Sequence, residues 1–125
     1  MHRLDAQIHI ANLRLRTYMS CNDSEKKNRQ DAIINAWIDY PAKEARHNDD
    51  VDDVDKAVNY RTIFKKIIEH VENNRFLLLE KLTSDVLSLC SQPAHVKKAK
   101  VAISKPHALC FVDSVSLTLS TQRDL

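Results

Sequence analysis

The succession of hydrophobic periods along this chain predicts an α+β fold: an antiparallel four-stranded sheet with two helices on one face, in the order β-β-α-α-β-β. Two stretches near the start and two near the end follow the two-residue alternation of half-buried strands. Between them, residues 59–91 carry apolar side chains three and four apart, the period of a helix with one apolar face. No glycine occurs among the 125 residues, where average usage of about 7% would give roughly nine. Phosphate-cradling loops, dinucleotide fingerprints, nucleophile elbows and calcium loops need glycine at tight turns, so their standard forms are excluded.

The first strand is expected over Ala6–Cys21, where Ile8, Ile10, Leu13 and Leu15 interleave with His9, Asn12, Arg14 and Arg16. The alternation slips at Ala11-Asn12, which predicts a bulge. Asn22-Asp23-Ser24 has turn chemistry. Asp31–Tyr40 is the second strand, rich in β-branched and aromatic residues (Ile33, Ile34, Trp37, Ile38), and Pro41 closes it. The two strands pair as a hairpin with a long loop. A polar, acidic connector, His47–Asp55, leads to Asn59, an N-cap for a helix whose face is Ile63, Ile67 and Val71, with Phe64 and Ile68 beside it. Asn73-Asn74 ends that helix, since asparagine tolerates the left-handed cap. A second helix, Leu78–Ser91, turns Leu79, Leu82, Val86 and Cys90 to one side, widened by Leu87. After Pro93, Ala99, Val101 and Ile103 mark the third strand, which Lys105-Pro106 stops. Val115, Leu117 and Leu119 mark the fourth. A sheet of this kind has two open edges, which predicts edge pairing between copies and hence a homo-oligomer.

The composition describes one folded domain of 125 residues, with 43% hydrophobic and 29% charged residues. The longest apolar run, Ala108–Val112, is far short of the roughly 20 residues of a membrane span, and Met1–Asp5 lacks the apolar stretch of a secretory signal. A net charge of +2 is too balanced to point to nucleic acid. Cys21, Cys90 and Cys110 are odd in number and far apart, which reads as free thiols in a reducing cytoplasm.

Composition alone assigns little chemistry. Asp49, Asp50, Asp52, Asp53 and Asp55 lack the turn glycine and terminal glutamate of a calcium loop and read as a solvated acidic loop. The six histidines and three cysteines show no local zinc spacing. Cys110 lies three residues after His107, but without a nucleophile signature it reads as a buried structural cysteine. Lys97, Lys98 and Lys100 read as a wet strand face and loop. By the same standard Glu80 is a first-turn acid favoured by the helix dipole, Tyr60 a helix-start aromatic packed on the core, Lys105 a loop lysine and Glu25 a surface charge.

Taken together, several segments carry a resemblance. They are Asn12-Leu13-Arg14-Leu15-Arg16-Thr17, Asn28-Arg29-Gln30-Asp31, Tyr40-Pro41-Ala42, Asn59-Tyr60-Arg61-Thr62, His70 through Phe76, Leu78-Leu79-Glu80-Lys81-Leu82, Lys105-Pro106-His107-Ala108-Leu109 and Asp113-Ser114-Val115-Ser116. In this order and spacing, from about Ile8 to Arg123, the chain resembles the dihydroneopterin aldolase family, and within it the epimerase branch.

That resemblance implies the tunnelling fold (T-fold), in which four subunits close their sheets into a barrel and two rings stack as an octamer with active sites between subunits. It implies a pterin substrate, no metal and no cofactor. The implied reaction is retro-aldol cleavage of the C1′–C2′ bond of dihydroneopterin triphosphate, followed by re-addition with C2′ inverted. The alternatives are release of glycolaldehyde, the aldolase outcome, or a weakly catalytic pterin-binding relative. Lys105 matches the family's catalytic lysine, which acts through water. Tyr60 matches a tyrosine that reaches the pterin from a neighbouring subunit and takes part in proton transfer. Glu80 matches the carboxylate that holds the pterin's amino group and ring N–H, Leu79 the adjacent backbone contact, and Glu25 a substrate-holding glutamate after the first strand. Ser20 stands where the family usually has glycine, Cys110 where epimerase relatives tend to carry arginine, and the connector around Asp52–Lys56 is longer than usual. These departures bear on substrate specificity more than on reaction type.

Overall fold

A computed structural model describes residues 4–19, 30–42 and 58–123. The elements are β1 (Asp5–Met19), β2 (Gln30–Pro41), α1 (Tyr60–Glu72), β3 (Arg75–Phe76), α2 (Leu79–Ser91), β4 (Lys98–Pro106) and β5 (Ser114–Gln122). The β-β-α-α-β-β order holds, with one addition. The two-residue β3 between the helices pairs parallel with Tyr18 and Met19, so the sheet is mixed and five-stranded, in the order β3-β1-β2-β4-β5. Two residues are too few to leave a periodic signal.

The bulge in β1 falls at Ala11-Asn12. Ile10 faces Ala36 and Leu13 faces Ile34, so these two residues oppose Asn35 alone. Asn12 takes φ 53°, the left-handed region that asparagine enters more readily than most residues. The Asn35 amide fastens it: Asn35 Oδ1 accepts from the Asn12 backbone N–H at 3.0 Å, and Asn35 Nδ2 donates to Asn12 Oδ1 at 3.2 Å. The extra residue flips the alternation. Ile8 and Ile10 before it, and Leu13, Leu15 and Thr17 after it, therefore all turn toward the helices, and the strand contributes to one core along its whole length.

That core lies between the sheet and the helices. Ala32, Ile34, Ala36 and Ile38 of β2 and Ala99, Val101 and Ile103 of β4 meet Ile63, Ile67 and Val71 of α1 and Leu82, Val86 and Cys90 of α2, all buried. Burial pushes the Cys90 thiol up to about 12, so it behaves as an apolar filler. Among the described residues, the opposite face of the sheet carries no helix. There Trp37 is stacked on His9, with ring centroids 4.6 Å apart and planes 11° apart, and Lys100 Nζ stands 4.5 Å from the Trp37 ring centre.

Asn59 caps α1, its Oδ1 accepting from the Thr62 N–H at 3.2 Å. The helix ends at Asn73 as expected, but by another device than a left-handed cap. Asn73 has φ −100°, and Asn74 Nδ2 donates to the His70 carbonyl at 2.8 Å, satisfying a last-turn acceptor. Cys110 corrects a second expectation. It is exposed, in the loop between β4 and β5, because a run of five apolar residues bounded by His107 and Asp113 falls where the hairpin turns rather than on a buried face.

Candidate functional site

Strand register decides which candidate residues meet. β3 pairs with the end of β1, the end of β1 pairs with the start of β2 (Thr17 with Gln30), and the start of β2 faces the end of β4 (Ile33 with Ser104). The chain leaving β3 therefore enters α2 at the end of the sheet where β4 finishes. Lys105 occupies that end, half-buried, on the helix-covered side by alternation from Val101 and Ile103. Leu79 and Glu80 open α2 at the same end and on the same side, with Leu79 half-buried and Glu80 exposed.

The start of α2 is built differently from that of α1. Leu78 stands at the N-cap with no side-chain hydrogen bond. The Leu82 N–H reaches the Leu78 carbonyl at 3.3 Å, so the N–H groups of Leu79, Glu80 and Lys81 have no partner within the helix. Buried Thr83 donates from Oγ1 to the Leu79 carbonyl at 2.8 Å and fixes that turn. A helix start whose first N–H donors are unpaired within the helix, with a carboxylate beside them, suits a flat ligand that presents a hydrogen-bond acceptor next to N–H donors.

A clip between the helices holds this turn in place. His70 Nε2 lies 2.8 Å from Asp85 Oδ2, and Lys81 Nζ lies 2.9 Å from Asp85 Oδ1. Burial pushes the Asp85 carboxyl up, but the hydrogen bonds and charges of Lys81 and His70 outweigh it, so its pKa lies below the ordinary 3.8. The His70 ring also leans on Phe76, 5.7 Å between centroids, and the Arg75 guanidinium lies 4.8 Å from the Tyr18 ring centre. The peptide between the helices is thus held from both sides.

Tyr60 is not part of this cluster. It begins α1, whose thirteen residues span roughly 18 Å before the chain returns to β3. It is 53% exposed rather than packed on the core, with Phe64 one turn further along the same helix also exposed. Glu25 and Ser20 lie outside the described residues, as do Asp49–Asp55 and the connector at Asp52–Lys56. Among the described residues no group of three or more His, Cys, Asp or Glu is placed to hold a metal ion, and no helix is long and apolar enough to cross a membrane.

Sequence reasoning missed a set of exposed apolar side chains. Besides Tyr60 and Phe64, the large hydrophobic residues exposed in the described chain are Leu77, Leu78, Leu109, Phe111 and Val112. Along the chain, Leu77 and Leu78 precede Glu80, and Leu109, Phe111 and Val112 follow Lys105. The run Ala108–Val112 and the missing polar cap at Leu78 were the available signals.

Comparison with known proteins gives a consistent result. The family model described as dihydroneopterin aldolase matches residues 8–120. The chain is 55% identical to a dihydroneopterin triphosphate 2′-epimerase of Escherichia coli, over 94% of this chain and 96% of that protein. It is 48% identical to one of Pseudomonas aeruginosa, over 94% of both chains. Among solved structures, E. coli dihydroneopterin aldolase in complex with neopterin superposes with a TM-score of 0.81 at 22% identity, covering 93% of this chain and 98% of that one, a likeness of fold.

Proposed function

The chain belongs to the dihydroneopterin aldolase family, and from that we propose that it is an isomerase that inverts C2′ of 7,8-dihydroneopterin triphosphate to give dihydromonapterin triphosphate. The observation that carries this reading is the 55% identity, nearly end to end, to an epimerase, against 22% to the aldolase of the same fold.

In this reading Glu80 accepts hydrogen bonds from the pterin amino group and ring N–H, while the free N–H groups at the start of α2 meet the ring's acceptor edge beside Leu79. Lys105, at the same end of the sheet, takes the 2′-hydroxyl proton through a water molecule. As the proton leaves, the C1′–C2′ bond breaks and its electron pair enters the dihydropterin ring. The aldehyde carbon rotates, C1′ attacks its other face, and the oxygen takes a proton back. Atoms and electrons balance without a cofactor.

Tyr60 takes part from a neighbouring copy. Its position at the far end of α1 and its exposure support that arrangement, as do the two open edges of the sheet. Among the described residues β5 has a strand neighbour on one side only, and β3 covers only the last residues of β1 on the other edge. Adding β5 of one copy to β1 of the next closes a barrel of four subunits, and two such rings give an octamer. Glu25 joins the substrate contacts by resemblance. The thiols of Cys90 and Cys110 are free, which suits the reducing cytoplasm.

The test is to incubate the protein with dihydroneopterin triphosphate and with the unphosphorylated compound, and to separate the oxidised products. A monapterin product that favours the triphosphate is expected. Hydroxymethylpterin as the main product from the unphosphorylated compound would move the chain to the aldolase reaction.

A further inference from the structure

We propose that Phe111 is a specificity-determining residue that decides the fate of the cleaved intermediate, favouring re-addition over release. The inference rests on the isomerase reading and deepens it. Once the C1′–C2′ bond has broken, the electron-rich C1′ has two exits. It can attack the aldehyde again, which gives the epimer, or take a proton from solvent, which gives the hydroxymethyl product and frees the aldehyde. Whatever keeps water from C1′ selects the first exit.

Exposed apolar side chains follow directly after Lys105 in the chain. Phe111 is fully exposed in the isolated protomer, in a loop that leaves β4 directly after Lys105 and Pro106. The root of the loop is fixed: Lys105 pairs with Val115, Pro106 pairs with Ser114, and the His107 N–H donates to the Asp113 carbonyl at 3.0 Å. Within this loop two residues other than glycine take left-handed backbone, His107 at φ 58° and Phe111 at φ 67°. Such backbone is costly for residues with a Cβ, and Phe111 least suits it because its ring gains no packing in return. Residues 107–113 line an open hollow of about 580 Å³. Leu109 and Val112 of the same loop are exposed as well, and so are Leu77 and Leu78, which precede Glu80 in the chain. A loop anchored at Lys105, strained, and carrying its largest apolar side chain outward is built to cover what lies next to Lys105. In the substrate complex that is the reacting side chain.

The experiment compares wild type, Phe111→Ala and Phe111→Tyr with dihydroneopterin triphosphate in deuterated water, reading the ratio of cleaved to epimerised product, solvent deuterium at C1′ of the cleaved product, and particle mass by light scattering. Phe111→Ala should raise the ratio by about tenfold, a shift of ~1.4 kcal/mol between the two exits. Its cleaved product should carry deuterium at C1′, its mass should match wild type, and Phe111→Tyr should restore the wild-type ratio. A ratio in Phe111→Ala within about twofold of wild type (a difference below ~0.5 kcal/mol) overturns the proposal while leaving the isomerase reading intact. Loss of assembly together with both products also overturns it, because Phe111 would then be a subunit contact. Wild-type protein that forms no epimer overturns the isomerase reading and this inference with it.

Discussion

Replacing Asp85 by alanine removes the clip that ties α1 to α2 behind the start of the site helix. Its contribution can be apportioned. The Lys81 pair is four residues along one helix and Lys81 is 67% exposed, so it is worth about 0.3–0.5 kcal/mol. The His70 pair at 2.8 Å is better shielded, its side chains 34% and 19% exposed, and contributes about 1 kcal/mol. Together Asp85→Ala should cost about 1–2 kcal/mol, read as a lower denaturant midpoint with an unchanged slope. The pH dependence has a definite sign. The native pKa of Asp85 is depressed below 3.8, so the stability from its ionisation is full above 3.8 and is lost as pH falls through the lower native value. The gap between wild type and variant should hold near neutral pH and narrow below 3.8. No gap near neutrality, or one just as wide in acid, would refute the reasoning.

Lys105→Ala should abolish turnover while leaving pterin affinity largely intact, which stopped assays and calorimetry on the same sample would show; unchanged turnover removes Lys105 from the mechanism. Glu80→Ala should weaken pterin binding by about 1.5–3 kcal/mol through loss of a charged hydrogen-bonding partner, and an unchanged calorimetric affinity would contradict the assignment. Peptide mapping after brief thiol alkylation should find Cys110 labelled in the native protein and Cys90 labelled only after unfolding, because burial keeps the Cys90 thiol protonated with a pKa of about 12.

Much of the scaffold was legible from local chemistry. The slip at Ala11-Asn12 located the bulge, and Asn59 located the start of α1 with its capping bond. These signals are local, and the structure uses them locally. The α1 terminus shows where that stops: Asn73-Asn74 marked the place, but the cap is made by the Asn74 side chain bonding back to His70, which no dipeptide pattern encodes. β3 and the His70–Asp85–Lys81 clip depend on contacts between distant segments and leave no period to read. Cys110 was misassigned because cysteine is usually buried, whereas here its position in the turn of the β4–β5 hairpin decides its exposure.

The candidate site divides the same way. The roles of Lys105, Glu80, Leu79, Tyr60 and Glu25 came from resemblance; residue by residue each looks ordinary. Strand register then brings Lys105 to the end of the sheet where Leu79 and Glu80 open α2. It does not bring Tyr60 to that end, since a helix of roughly 18 Å separates them within one copy.

The most direct test of the isomerase reading approaches the reaction from both sides. Pure dihydroneopterin triphosphate and pure dihydromonapterin triphosphate are each incubated with the protein and followed by chromatography until the composition stops changing. Reversible inversion at C2′ predicts that both reach the same mixture of the two epimers. Steady accumulation of the hydroxymethyl product from either compound, with no interconversion, would contradict it.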